Sequence, residues 1–106
     1  MSLEERPAPA IPLEHPGIIL REEFLEHLSV SAYRLSKDVH VPKSRITVIL
    51  RGERAISADT ALRFARYVGT SVEFWTDLQA RYDLGSAVRE KKSDVEGSIT
   101  PLVAAH

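Results

Sequence analysis

The segment PKSRITVILRGER, residues 42–54, carries the side chains whose types and spacing are best suited to chemistry. On a helix of about 100° per residue, Ile46, Ile49 and Leu50 fall on one side together with Pro42. The opposite side and its flanks mix basic, hydroxyl and apolar side chains: Lys43, Ser44, Arg45, Thr47, Val48 and Arg51. A valine among exposed polar residues adds nothing to solubility, so this mixture needs another explanation.

Recognition of bases in the DNA major groove is the chemistry that this mixture supports. Lysine and arginine donate hydrogen bonds to O6 and N7 of guanine, serine and threonine pair with several base edges, and valine packs on the methyl group of thymine. We therefore predict a base-reading set on this helix, which consists of Lys43, Ser44, Arg45, Thr47 and Val48.

The distribution of charge favours contacts with the DNA backbone in the same region. The whole chain has a net charge of −1, so binding to nucleic acid would need a local basic face. Between Arg34 and Arg54, six basic and two acidic residues give a local balance of +4. Basic side chains and the amides at a helix N-terminus bind phosphate. The predicted backbone contacts are Ser31, Ala32, Arg34, Lys37, Arg51 and Arg54.

Catalytic and metal chemistry find no support in the sequence. The chain has no cysteine, which excludes a disulfide framework, a thiolate metal site and a thiol nucleophile. Glu22 and Glu23 are adjacent and diverge by about 100° on a helix, so they do not converge on one substrate. The histidines lack the spacing of a metal site and are expected in solvent or turns: His15, His27, His40 and His106. We predict no enzyme activity, no metal and no cofactor.

Periodicity and capping residues predict the elements that position these side chains. The first helix is expected from about Gly17 to His27, with Leu20, Phe24 and Leu28 towards the core. The second helix is expected from the N-cap Ser31 to Val39, and the third from Pro42 to Arg51. The fourth is expected from the N-cap Ser57 to Val68, and its core-facing residues are Ala61, Leu62, Ala65 and Val68. The fifth starts at a capping box of Thr70 and Glu73 and is expected to end near Gly85. No strand pattern is present, so an all-α fold of five helices is predicted.

The composition divides the chain into three parts. Residues 1–14 hold Pro7, Pro9 and Pro12 and are predicted to form a flexible, extended N-terminal arm. Residues 15–88 form the DNA-binding and dimerisation domain, and residues 89–106 are expected to be a loose C-terminal tail. No apolar run approaches the roughly 20 residues of a membrane span, and the N-terminus lacks the order of a secretion signal. A cytoplasmic protein without membrane contact is expected.

The predicted fifth helix carries a large aromatic and apolar surface. Core packing is the simpler explanation, and a dimer interface that shares this helix with the core is the alternative that we favour. Its predicted residues are Phe74, Trp75, Leu78 and Tyr82. Reading of an operator by two such helices would need a dimer, because half-sites lie one DNA turn, about 34 Å, apart.

The predicted second and third helices are joined by a short turn around His40 and Val41, which is the spacing of a helix-turn-helix motif. With this motif the sequence resembles the phage-repressor-like (Cro/C1, or XRE) helix-turn-helix family, and more narrowly the HigA-type antitoxins of bacterial toxin–antitoxin pairs. The narrower resemblance rests on three segments: HPGIILREEFL at residues 15–25, RGERAISADTALRFARYVGTSVEFW at residues 51–75, and LQARYDL at residues 78–84.

The resemblance implies a homodimer that represses its own promoter and neutralises a partner toxin. In this family the toxin is typically a small basic ribonuclease of the RelE-like kind that cuts messenger RNA. The family pattern implies base reading by the same five residues of the third helix and backbone contacts at Ala32, Arg51 and Arg54. Three positions depart from that pattern, and one of them is Ile18, which stands where the HPGE-type motif of the family usually has a glutamate. His40 stands where the family often has a glycine, which matters if φ is positive there, and Pro42 replaces the usual serine or threonine cap.

Two further functions stay open at the level of the sequence. A stand-alone transcriptional repressor without a toxin would use the same DNA chemistry, and the neighbouring gene would distinguish it from an antitoxin. An interaction adaptor that has lost DNA binding would use the arm and the tail as its contact segments, and the outward face of residues 43–54 argues against it.

Overall fold

The computed structural model of the chain describes residues 14–103, and within them it contains five helices and no strand. Helix α1 runs without interruption through an α-helical turn (Pro16–Ile19), a π-helical stretch (Leu20–Leu25) and a second α-helical turn (Glu26–Leu28). The others are α2 (Ala32–Val39), α3 (Lys43–Leu50), α4 (Ala58–Val68) and α5 (Val72–Ser98). The predicted all-α, five-helix fold is confirmed. The predicted arm lies outside the described residues except for Glu14.

The π-helical stretch of α1 changes which of its residues face the core. Hydrogen bonds in a π-helix join residues five positions apart, and Leu20 and Leu25 are both buried. Leu28, which was predicted to be in the core, is exposed, and Phe24 is only half-buried. The prediction for Leu28 is wrong because it extended a period of 3.6 residues across a π-helical turn.

The core is centred on Trp75 at the start of α5. Its ring is fully buried and packs against Phe24, Phe64 and Phe74, with ring centroids 5.4, 6.2 and 4.9 Å away. The indole Nε1 donates a hydrogen bond of 2.7 Å to the Thr70 hydroxyl, so its one polar group is satisfied. Trp75 therefore joins α1, α4 and α5 in a single aromatic cluster.

The inner face of α4 differs in two positions from the prediction. Ala61 and Ala65 are buried as expected, and Val68 is partly buried against the core. Leu62 is 57% exposed, and Phe64 is buried instead. Residues three and four positions after Ala61 share its face of the helix, whereas the next residue along the chain turns away by about 100°.

Serine side chains cap the N-termini of three helices. The predicted caps of α2 and α4, Ser31 and Ser57, are confirmed. The predicted capping box of α5 is wrong, because Ser71 accepts the capping hydrogen bond from the amide of Phe74. The Thr70 hydroxyl instead accepts the hydrogen bond from the indole of Trp75 and does not cap the helix.

Helix α5 is longer than the sequence analysis predicted. It passes through Gly85 and continues to Ser98, so the expected fading near Gly85 and the loose state of residues 89–98 are wrong. A glycine ends a helix when it adopts positive φ, and Gly85 does not. The residues that follow it are mostly good helix formers. This extension is exposed and carries an apolar stripe without a covering element: Leu84, Val88, Val95 and Ile99.

Helix α1 approaches α3 more closely than any side chain would allow. A Cβ atom added to Gly17 would lie 1.8 Å from the carbonyl oxygen of Ile49 and 2.7 Å from its carbonyl carbon. Both residues are buried, so neither backbone can move into solvent. Gly17 is therefore required for the contact between the first turn of α1 and the last turn of α3.

We expect the substitution Gly17→Ala to lower the free energy of unfolding by about 1–3 kcal/mol or more, because overpacking forces two backbones apart. Urea unfolding followed by the fluorescence of Trp75 measures this change. Gly97→Ala is the matched control, since an added Cβ there meets no atom within 4 Å, and it should not lower stability. An unchanged unfolding midpoint for Gly17→Ala would contradict the close contact.

Candidate nucleic-acid interface

The outer face of α3 carries the five predicted base-reading residues. Lys43 and Ser44 are exposed at the first turn, and Arg45, Thr47 and Val48 are half-buried along the side of the helix. The apolar side of α3 is buried in the core. The helix therefore has one face fixed by packing and one face available to a ligand.

Pro42 ends the turn that precedes α3 and lies outside the helix. It is exposed and occupies the N-cap position without a side-chain hydrogen bond, so its predicted place in the helix and on its buried side is wrong. Its carbonyl oxygen accepts hydrogen bonds from the amides of Arg45 (3.0 Å) and Ile46 (3.1 Å). The first turn is thus closed by the backbone, and the loss of a side-chain cap is as predicted.

A shallow concave surface brings three of the predicted base-reading residues together with one predicted backbone-contact residue. It is lined by Pro42, Ser44, Arg45, Val48 and Arg54. Two guanidinium groups, a hydroxyl group and an apolar patch therefore share one surface, the composition that reads base edges beside a phosphate. The structure places Arg54 next to the base-reading side chains, although it is nine residues after Arg45 in the sequence.

The N-terminus of α2 supplies the second predicted group of backbone contacts. The Ser31 hydroxyl accepts a hydrogen bond of 3.1 Å from the amide of Arg34. The amides of Ala32 and Tyr33, in the first turn, have no acceptor within the helix. Such a helix end attracts a phosphate.

Arg34 and Lys37 lie on the exposed side of α2. Arg34 forms an ion pair with Asp38, with Nε 3.4 Å from the carboxylate oxygen, and the Lys37 ammonium lies 5.4 Å from the ring centroid of Tyr33. Ion pairs exposed to solvent contribute little to stability. Both side chains are therefore held only weakly and are available to a phosphate.

The turn between α2 and α3 is held from α4. His40 adopts φ 61°, so the non-glycine residue at this position does lie in the left-handed region. Arg63 donates hydrogen bonds to the carbonyl oxygens of Val39 (3.0 Å) and His40 (3.4 Å), and its Nε pairs with Asp59 at 3.0 Å. One arginine thus closes the C-terminus of α2 and fixes the geometry of the turn.

A hydrogen bond from Tyr67 to Asp38 adds a second link between α4 and α2. The phenol oxygen lies 2.5 Å from the carboxylate oxygen. This bond lowers the pKa of Asp38, with a smaller contribution from the charge of Arg34, and it raises the pKa of Tyr67. Asp38 therefore stays ionised and Tyr67 stays protonated as a donor at neutral pH.

The C-terminus of α3 is held from α1 and by its own following turn. The amides of Gly52 and Glu53 donate to the carbonyl oxygens of Ile49 and Val48, each at 2.9 Å, with Gly52 at φ 77°. Arg21 donates to the carbonyl oxygen of Leu50 at 3.2 Å. The sequence analysis missed this role of Arg21, because one basic residue beside three glutamates on α1 has the pattern of a solvated helix face.

His15 lies at the meeting point of α1, α5 and the turn after α3. It was expected in solvent or a turn but is only 4% exposed. Its Nδ1 accepts a hydrogen bond of 2.9 Å from the amide of Gly17, and its ring packs edge-to-face on Tyr82 with centroids 4.9 Å apart. Burial lowers the pKa of His15, against the charge of Asp83 and a hydrogen bond with the backbone of Arg54, which raise it. The ring is therefore neutral near pH 7.

Gln79 holds the loop between α3 and α4 from the opposite side. Its buried side-chain oxygen accepts a hydrogen bond of 2.8 Å from the amide of Ile56, and its nitrogen donates to Asp83 at 2.9 Å. No pattern in the sequence indicated this residue, because a single glutamine within an amphipathic helix is normally exposed.

The predicted dimer-interface residues of α5 have different environments. Trp75 is fully buried within its own chain and cannot contact a second copy, so this assignment is wrong. Phe74 is 39% exposed, and Leu78 and Tyr82 are half-buried. The interface predicted for these three residues stays a prediction.

Metal-binding clusters and membrane-spanning helices are both absent from the described part of the chain. Residues 14–103 contain no group of three or more histidine, cysteine, aspartate or glutamate side chains that could hold a metal ion. No helix in the same range is long and apolar enough to cross a membrane.

Comparison with known proteins places the chain among DNA-binding domains. Residues 22–75 match the family model described as Helix-turn-helix. Virulence-associated protein I of Dichelobacter nodosus is 48% identical over 83 residues, which are 78% of this chain and 77% of that protein.

Solved structures of similar chains share the fold over most of this chain. The Pseudomonas aeruginosa antitoxin HigA, solved with the higBA promoter, has a TM-score of 0.79 at 40% identity, with 85% of this chain and 98% of that chain covered. The addiction module antidote protein of the HigA family from Coxiella burnetii has a TM-score of 0.75 at 44% identity, with 83% and 96% covered.

Proposed function

The chain belongs to the helix-turn-helix family and, within it, to the HigA type, and from this premise we propose that it is an antitoxin that represses its own operon. As a homodimer it places helix α3 of each copy in successive major grooves of an operator, about 34 Å apart. It neutralises a small basic toxin, a ribonuclease of the RelE-like kind. It acts in the cytoplasm and is located at the nucleoid when bound to DNA.

The concave surface on α3 is the observation that carries the DNA-binding part of this proposal. It presents Arg45 and Arg54 beside Ser44 and Val48, while the opposite side of α3 is fixed in the core. The arrangement supports base reading by Lys43, Ser44, Arg45, Thr47 and Val48. It supports backbone contacts by Ser31, Ala32, Arg34, Lys37, Arg51 and Arg54, all of which have at least part of their surface exposed.

The antitoxin part of the proposal is supported by the relatives rather than by a surface of this chain. The P. aeruginosa HigA structure is of an antitoxin with the higBA promoter, and the C. burnetii protein is an antidote protein of an addiction module. The same fold and an identity of at least 40% favour the same pair of activities here.

A stand-alone repressor is the second candidate function. The D. nodosus relative, at 48% identity, is named for virulence and not for a toxin–antitoxin pair. Its name is therefore compatible with a repressor without a toxin partner. Both candidates use the same DNA interface and differ only in the presence of a protein partner.

Two arginine substitutions separate base reading from backbone contact. We expect Arg45→Ala to cost about 1–3 kcal/mol of operator affinity and to relax the preference for one base. Arg54→Ala should weaken binding to all duplexes alike and reduce the salt dependence by about one unit of slope. Fluorescence anisotropy with a duplex from the region upstream of the gene, and with scrambled duplexes, measures both.

Arg66→Ala is the matched control for these substitutions. Arg66 is an exposed arginine on α4 that lines a different surface, so its loss removes the same charge without touching the concave surface. If Arg45→Ala bound its operator as the wild type does, or no worse than Arg66→Ala, the assignment of the α3 face to the groove would be wrong.

A pull-down from cells that carry the native locus distinguishes the antitoxin from the stand-alone repressor. We expect the tagged protein to retain a small basic partner at fixed stoichiometry, encoded beside its gene and toxic when expressed alone. Mass spectrometry identifies that partner. Recovery of the protein with its upstream DNA and without any such partner would refute the antitoxin function and leave the repressor.

A further inference from the structure

Residues 22–28 of α1 and residues 71–77 of α5 form a surface, the α1–α5 face, that carries none of the predicted DNA contacts. The rings of Phe24 and Phe74 lie edge-to-face across the two helices, with centroids 6.2 Å apart. Phe74 is 39% exposed, and Phe24 is half-buried. Leu28, one turn after Phe24 on α1, is 57% exposed. Three large apolar side chains on adjoining helices are therefore in contact with solvent.

The π-helical stretch of α1 is the reason why these side chains are not fully buried. It spans Leu20–Leu25 and buries the two leucines at its ends, which are five positions apart. In a regular α-helix Leu28 would lie on the same side as Leu20 and Phe24. π-helical turns are rare and are frequent at functional sites. Here the turn leaves apolar surface exposed, which a purely structural role does not require.

Acidic side chains surround the apolar centre of the α1–α5 face. Its two segments contain five carboxylates and no lysine or arginine, and all five are exposed: Glu22, Glu23, Glu26, Glu73 and Asp77. Arg21 pairs with Glu22 and Glu26, whereas no ion pair within residues 14–103 includes the other three. An exposed apolar patch with a polar rim is typical of a protein interaction site.

The sign of the charge on this rim indicates what kind of partner it fits. The region from Arg34 to Arg54 has a local balance of +4, whereas the five carboxylates give the α1–α5 face a charge of −5. Opposite potentials steer two molecules together, and like charges suppress wrong partners. The face therefore repels DNA and is complementary to a small basic protein.

A second copy of the chain is the other occupant to consider, because Phe74 was among the predicted dimer residues. A two-fold dimer through this face would bring the same patch together with itself. The five carboxylates of one copy would then meet the same five of the other, without a lysine or arginine from either patch. Such a contact is unfavourable, so the charge favours a basic partner over self-association.

We propose that the α1–α5 face is the docking surface for the small basic toxin. Leu28 and Phe74 are its apolar anchors, and the carboxylates of Glu23, Glu73 and Asp77 form the rim that steers the toxin. This inference rests on the proposed antitoxin function and gives that function a surface. The toxin and the operator bind to different side chains, and Phe74 is assigned to the toxin and not to the dimer.

The substitution Leu28→Ala tests the apolar centre without disturbing the core. The probe is the small basic protein recovered by the pull-down, separated from the complex in denaturant and refolded. Biolayer interferometry should show dissociation that is faster by roughly tenfold, because truncation of a central anchor acts mainly on the dissociation rate. Leu62→Ala is the matched control, since Leu62 is also 57% exposed but lines a different surface on α4. It should dissociate within about twofold of the wild type.

The double substitution Glu23→Lys and Asp77→Lys tests the rim. Both side chains are exposed, so the unfolding midpoint should be close to that of the wild type. Association with the same refolded protein should be slower by roughly tenfold at low salt, and the difference should shrink at high salt. Glu90→Lys with Asp94→Lys, on the exposed second half of α5, makes the same change of charge and should associate within about threefold of the wild type.

Two results would overturn the docking surface and leave the antitoxin function intact. One is toxin binding by Leu28→Ala and by the double variant that equals binding by their controls. The other is loss of the dimer in sedimentation velocity of either free variant, which would show that the face joins two copies of the chain. Failure to recover any basic partner from the native locus would refute the antitoxin function itself, and the assigned surface with it.

Discussion

The contact between the first turn of α1 and the last turn of α3 is the constraint on which the DNA-facing surface depends. A recognition helix can read bases only if its axis and rotation are fixed, because a shift of one residue turns its reading face by about 100°, away from the base edges. Here the backbone of Gly17 lies against the carbonyl group of Ile49, and Arg21 binds the carbonyl oxygen of Leu50. The C-terminus of α3 is thus held through its own carbonyl groups, by the backbone of Gly17 and by the side chain of Arg21.

The other end of α3 is fixed from a different helix. Arg63 of α4 binds two carbonyl groups of the turn before α3, and Tyr67 of the same helix binds Asp38 of α2. The helix-turn-helix motif is therefore held between α1 and α4, and the outer face of α3 takes no part in these contacts. This division explains how a chain with a net charge of −1 can present a local excess of positive charge. The basic side chains lie on this outer face, where they are not needed for packing.

The sequence alone was sufficient for the features that depend on neighbouring residues. Helical periodicity and serine caps predicted α2, α3 and α4 closely, and the comparison of position 40 with its family pattern anticipated the left-handed conformation of His40. The features that depend on contacts between distant residues were not predictable in this way. The buried position of His15, the role of Arg21 and the hydrogen bond of Gln79 to the loop before α4 each join residues that lie 20 or more positions apart. The predictions for the π-helical stretch of α1 and for the end of α5 failed for a local reason. A period of 3.6 residues did not apply in α1, and Gly85 did not end α5.

The most direct test of the central claim is an NMR titration of the full chain with a duplex from the region upstream of its gene. The account predicts that the backbone amides that shift most lie at the start of α2, along α3 and in the turn up to Arg54. The amides of the second half of α5, which carries none of the predicted DNA contacts, should not shift. Shifts concentrated on α5 or on the outer face of α4, with α3 unchanged, would contradict the claim that α3 is the DNA-reading helix.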